Sequence, residues 1–179
     1  HDNAWTTYSA EDLEKLEKLS ADYIAFLNNG KTERECADEL VAMAEAKGYR
    51  NLADIIANDE KLVSGDKVYA VNMGKMVMML NIGEDIISDG MNILGAHIDS
   101  PRLDIKQNPL YESDELAYLD THYYGGVKKY QYVTMPLALH GVVVKPDGTK
   151  ITINIGEKED DPVFIISDIL IHLSADQMK

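Results

Sequence analysis

The feature that most constrains this chain is a change in its apolar period between Gly48 and Lys67. Before it, apolar residues recur at helical spacing; after it, they alternate as in strands. A chain that switches in this way must lay helices against a sheet, because each element alone leaves one apolar face in water. Ser9 followed by Asp12 forms a capping-box signature, and Leu13, Leu16, Leu19, Ile24 and Leu27 repeat until Gly30, so a first helix is expected over about residues 10 to 28. Thr32 with Glu35 repeats the start signal, Cys36, Leu40, Met43 and Ala44 form a second stripe, and Gly48 stops it. Cys36 on that stripe reads as a small core residue, since nothing near it in sequence would lower its pKa.

KVYAVNM and KMVMMLNI flank Gly74 as a hairpin, and MNILGAH after Ser88, Asp89 and Gly90 is expected to be a third strand. Met73, Met76, Met78, Met79 and Met91 are expected to fill core rather than bind a soft metal. The fold class is therefore α/β or α+β. After Pro101 the texture becomes polar and turn-rich from Gln107 to Gly126; YVTMPLALHGVVV and KITINIG then form a hairpin through Pro146-Asp147-Gly148. A domain boundary near residues 101 to 106 divides the chain into 1–101 and 102–179. The charge run Glu157 to Asp161 reads as a solvated loop.

Of the 179 residues, 31 are acidic and 17 basic, a net charge of -14 that disfavours nucleic acid and anionic membranes as partners. The apolar runs Val133 to Val144 and Val163 to Leu173 are broken by Pro136, Ser167, Asp168 or His172 and are too short to span a bilayer. His1-Asp2-Asn3-Ala4-Trp5 lacks the basic and apolar regions of a secretory signal. The missing initiator Met suggests a piece of a longer polypeptide. A single cysteine cannot form an internal disulfide and points to a reducing compartment, the cytoplasm.

The sharpest constellation is GAHIDSP, Gly95 to Pro101. On a strand, alternation would put His97 and Asp99 on one face, an imidazole and a carboxylate projecting together, which suits a metal ligand and the group that orients it. Gly95 and Ala96 leave room for close backbone approach, and Ser100 and Pro101 end the strand. By itself the pair fits a hydrogen-bonded core histidine better than a ligand.

The longer string changes that weighting. GAHIDSPRLDIKQNPLYE, followed by THYYGG and VKKYQY, resembles the aspartyl aminopeptidase family of di-metal exopeptidases, from Asn3-Ala4-Trp5 essentially to the end of the chain. The resemblance implies an α/β metal-binding domain over 1–101, followed by the start of a β-rich dimerisation domain over 102–179. It implies that His97 is a metal ligand, that Asp99 supports it catalytically, and that His172, in Ile171-His172-Leu173, is either a metal ligand or a contact to a neighbouring subunit's active site. It further implies a divalent metal, zinc with cobalt or manganese as alternatives, and a peptide substrate with an acidic N-terminal residue. The expected assembly is a homo-oligomer built from dimers, up to a dodecamer, and the missing ligands are expected from the downstream remainder of the polypeptide.

Without the family, His172 reads as a satisfied histidine on an apolar segment, with Asp168 either its partner on one helical face or a cap. His122 and His140 read as surface or hydrogen-bonding residues, and Lys128 and Lys129 as a solvated turn. Asp104 and Glu112 are the nearest other carboxylates to the motif. The rival functions are a related metal-dependent carboxypeptidase or deacylase, and an inactive assembly fragment or paralogue.

Overall fold

The computed structural model describes residues 3–85 and 90–176. The chain divides into two compact units, His1–Asp99 and Ser100–Lys179.

In the first unit, α1 spans Ala10–Asn29 and α2 spans Glu33–Ala46. Both begin in full capping boxes: the Ser9 hydroxyl accepts from the Asp12 amide while Asp12 accepts from the Ser9 amide, and Thr32 and Glu35 do the same. Each box satisfies helix-start donors that would otherwise be orphaned. Gly30 is required between the helices because a Cβ there would lie 2.7 Å from the Cys36 sulfur. Arg50–Asn51 forms the short β1, and α3 follows over Leu52–Ala57, with Asn51 accepting from the Ala53 amide. β2, Lys67–Asn72, and β3, Met76–Asn81, make an antiparallel hairpin, and β1 joins β2 in parallel to give the sheet order β1-β2-β3. Met73, Gly74 and Lys75 connect the paired residues Asn72 and Met76; Met73 and Gly74 adopt positive φ, the Lys75 amide donates to the Asn72 carbonyl, and Arg34 donates to the Met73 carbonyl at 3.0 Å.

The core of this unit is Cys36, Ala37 and Ala44 from α2, Ile55 from α3, and Val68 and Tyr69 from β2. The period change in the sequence thus corresponds to helices packed on a small mixed sheet. Cys36 is the small buried residue its stripe suggested, and burial together with the nearby Glu35, Glu33 and Glu39 charges pushes its thiol pKa up. α1 contributes no buried residue.

Two expectations fail here. The segment from Gly90 to Pro101 contains no strand, and Ser88 and Asp89 of its expected turn lie outside the described residues. An extended apolar run becomes a strand only by pairing, and no described segment pairs with it. Nor do the five methionines fill a core: they are 45% to 84% exposed. Among the described residues, those of β3 lie on an edge strand hydrogen-bonded to β2 on one side, so alternation alone did not guarantee cover.

In the second unit, β4, Arg102–Ser113, and β5, Leu116–Tyr124, form a long antiparallel ribbon. This replaces the turn-rich stretch expected from Gln107 to Gly126. A register shift between Ile105 and Leu110 breaks the alternation, and the tight turn is made by Asp114 and Glu115, both at positive φ without any glycine to announce it. β6, Leu139–Val144, and β7, Lys150–Ile155, form the second hairpin as expected, although β6 occupies only the end of its apolar run. At its turn Asp147 accepts from the Thr149 amide, which holds the Asp147 carboxyl below its usual pKa. Glu157 to Asp161 is an exposed loop apart from half-buried Asp161, whose carboxylate accepts from the Gly156 and Lys158 amides. Isolated bridges join Val133 to Ile166 and Leu137 to Phe164. Among the described residues no helix is long and apolar enough to cross a membrane.

Candidate functional site

His97 lies on the irregular run between Gly90 and Pro101, its side chain 84% exposed. Its Nδ1 is 2.9 Å from the Asp99 carbonyl oxygen and 3.1 Å from Asp99 Oδ1. The two residues therefore meet, but through a local two-residue turn rather than by standing side by side on a strand face.

This geometry has a chemical consequence. A carbonyl oxygen can only accept, so Nδ1 must carry the proton that joins it to Asp99, and the lone pair of neutral His97 is then on Nε2. An imidazole with one nitrogen tied to a carboxylate and backbone carbonyl, and the other offering its lone pair outward, has the form of an oriented metal ligand. The donor chemistry fits one position of a zinc site, where neutral imidazole is a common ligand. It does not fit a whole site: among the described residues no group of three His, Cys, Asp or Glu side chains could hold a metal ion.

His172 sits in a single 3-10 turn, Ile171–Leu173, and is exposed. Leu170 precedes this turn as its cap, and Asp168 Oδ1 accepts from the Ile169 amide. Asp168 and His172 thus share no α-helical face, and the residue at the cap position of the turn is Leu170; Pro162 and the bridges at Phe164 and Ile166 keep the preceding chain extended.

The other candidates have structural work. Asp104 Oδ1 accepts from Arg102 Nε at 2.8 Å, and Glu112 is exposed near the far end of the ribbon. His122 on β5 bonds the Tyr123 carbonyl through Nδ1, and His140 on β6 bonds Glu157 through Nε2 at 2.8 Å with its side chain 10% exposed. Lys129 lies with its Nζ 5.3 Å from the centre of the Tyr123 ring. His1 falls outside the described residues. Arg102 was not singled out by sequence reasoning, because a lone arginine beside an aspartate carries no spacing signal.

Residues 26–179 match the family model described as aminopeptidase I zinc metalloprotease (M18). A probable M18 family aminopeptidase 1 of Clostridium acetobutylicum is 55% identical over 99% of this chain and 38% of its own length. The crystal structure of an M18 family aminopeptidase from Thermotoga maritima superposes with a TM-score of 0.86 at 41% identity, over 99% of this chain and 38% of that one. Aminopeptidase I from Borrelia burgdorferi also gives a TM-score of 0.86, at 40% identity, over 95% of this chain and 41% of that one. The chain spans about two fifths of the length of these relatives.

Proposed function

The chain belongs to the M18 family of aminopeptidase I zinc metalloproteases, and from that premise we propose that it supplies one ligand arm of a zinc aminopeptidase that removes acidic N-terminal residues from peptides. The observation that carries the reading is the His97–Asp99 pair, whose hydrogen bonds leave the Nε2 lone pair for a metal. His97 would hold zinc through Nε2, and Asp99 would keep the ring turned and raise its basicity. When bound, zinc supplies a Lewis acid and lowers the pKa of water. Asp99 serves His97 rather than taking a proton from water, since its carboxylate is already engaged with the ring. The remaining ligands and the general base come from outside the described residues. His172 is either a further ligand or a contact to a neighbouring subunit's substrate, in a homo-oligomer built from dimers. The exposed apolar side chains of the β4–β5 ribbon, Leu110, Tyr111, Leu116 and Tyr123, are consistent with such an assembly. The buried free thiol of Cys36 goes with a cytoplasmic setting.

The test uses the full-length enzyme. His97→Ala is expected to lower bound zinc by at least one equivalent per active site and to cut turnover of an aspartyl or glutamyl anilide by about 100-fold or more. Full zinc content with unchanged turnover would remove His97 from the site. His172→Ala separates its two roles: loss of zinc marks a ligand, whereas a raised KM with full zinc marks a substrate contact. Hydrolysis of N-acyl amino acids in place of aminoacyl anilides would favour a deacylase.

A further inference from the structure

We propose that β3 is an interior strand in the whole enzyme: the edge it leaves unpaired among the described residues receives a strand from the part of the polypeptide outside these 179 residues. The sequence of the strand is the first reason. Met76-Val77-Met78-Met79-Leu80 is apolar at every position and has no polar face to give to water; such runs belong to strands covered on both faces inside a sheet. Neighbouring residues of a strand point to opposite faces, and Met78 and Met79 are 50% and 45% exposed, so neither face of β3 is closed by the elements around it. The edge is equally bare. Strands that stay at an edge carry a charge, a proline or a bulge against unwanted pairing. The residues of β3 include no charge and no proline, and their register with β2 runs without a break from Met76 to Asn81.

The ladder shows which groups await a partner. The Ile82 amide, one residue past β3, donates to the Asp66 carbonyl on the β2 side at 2.8 Å. Alternation along an antiparallel pair then turns the amides of Leu80 and Met78 to β2, and those of Asn81, Met79 and Val77 to the open edge. Donors in such a row, flanked by apolar side chains, match an extended backbone rather than a small ligand. The occupant follows from length and charge. This chain covers 38% of the Clostridium acetobutylicum relative with which it is 55% identical, so more than half of such a polypeptide is available to supply the strand. A strand of the same chain also carries no cost of association. A second copy fits less well, because each copy would bring a net charge of -14 to the contact. The inference uses neither His97 nor a metal and goes beyond the zinc site.

The experiment is hydrogen exchange of the full-length wild-type enzyme, read residue by residue through electron-transfer fragmentation, at a high protein concentration and again after dilution to separated subunits. For an interior β3, the amides of Val77, Met79 and Asn81 should exchange as slowly as those of Met78 and Leu80, to within about tenfold, at both concentrations. Fast exchange at Val77, Met79 and Asn81 beside slow exchange at Met78 and Leu80 would overturn the proposal and leave β3 an edge strand. Protection of the same three amides that disappears on dilution would also overturn it, and would identify the occupant as a second copy. Neither result touches the zinc reading, which stands or falls on the metal content of His97→Ala.

Discussion

Val68 is 1% exposed and Tyr69 4% in the first unit, where two helices and a three-stranded sheet share them as a core; every buried apolar side chain among the described residues belongs to that unit. The second unit has two separate two-stranded ribbons and not one side chain buried to that degree among its described residues. Its order comes from ladders, turns and local bonds: the stacked rings of Tyr111 and Tyr118, Lys106 with Asp120, and the Asp161 carboxylate on the amides of its own loop. Two-stranded ribbons are marginal alone, so the second unit lacks the shared core of the first, while both units leave large apolar side chains exposed, from Leu19 and Leu94 in the first to Leu110 and Ile171 in the second. The difference bears on the site as well. His97 is attached to the well-packed unit but lies on a run that the core does not reach.

The comparison breaks most readily at the core. Val68→Asp places an unpaired carboxylate where no water reaches and should cost about 3–5 kcal/mol. Val144→Asp, at a side chain 59% exposed on the β6–β7 ribbon, should change stability by no more than about 0.5 kcal/mol. Urea unfolding of the two variants measures both. Equal losses would mean that the ribbon is packed as firmly as the core. A smaller effect is expected where the second unit is most constrained. Gly156 sits at φ +105°, and a Cβ there would lie 3.0 Å from the Ala138 Cα. Gly156→Ala should cost about 1–3 kcal/mol and raise amide exchange along β6 and β7 while leaving β2 unchanged. If exchange rose equally in β2, the two units would unfold together.

What could be read in the sequence divides along the same line. Ser9 with Asp12, Thr32 with Glu35, and the Gly74 and Gly148 turns are local chemistry: each motif contains the donors, acceptors or backbone freedom its conformation needs, and each appears where expected. The failures concern neighbours. Met91 to His97 has the composition of a strand, but composition supplies no pairing partner, and the edge strand β3 offers its methionines no second layer. The β4–β5 ribbon escaped notice because Asn108-Pro109 falls within its irregular register and Asp114-Glu115 makes the turn without glycine. α3 was missed because six residues are too few to establish a period. The proximity of His97 to Asp99 was legible from their spacing, although its cause is a turn.

The smallest effect tests how the first unit ties its helix to its sheet. Tyr69 OH donates to Glu45 Oε1 at 2.6 Å, linking β2 to α2 at the margin of the core. The hydrogen bond to Glu45, then burial, then the Glu45 and Asp54 charges raise the Tyr69 pKa above its ordinary 10.0. A phenol whose folded pKa is raised contributes stability that is fully present below the unfolded value and is lost as pH climbs through the folded one. Tyr69→Phe should therefore cost about 1 kcal/mol at pH 8, and the gap between wild type and variant should close as the pH rises beyond 10. Thermal midpoints of both proteins from pH 8 to about 11.5 measure the gap directly, with the other tyrosines and lysines titrating equally in each. A gap that stays constant would show that the hydroxyl contributes by filling space rather than by donating its proton, and the link between α2 and β2 would then be packing alone.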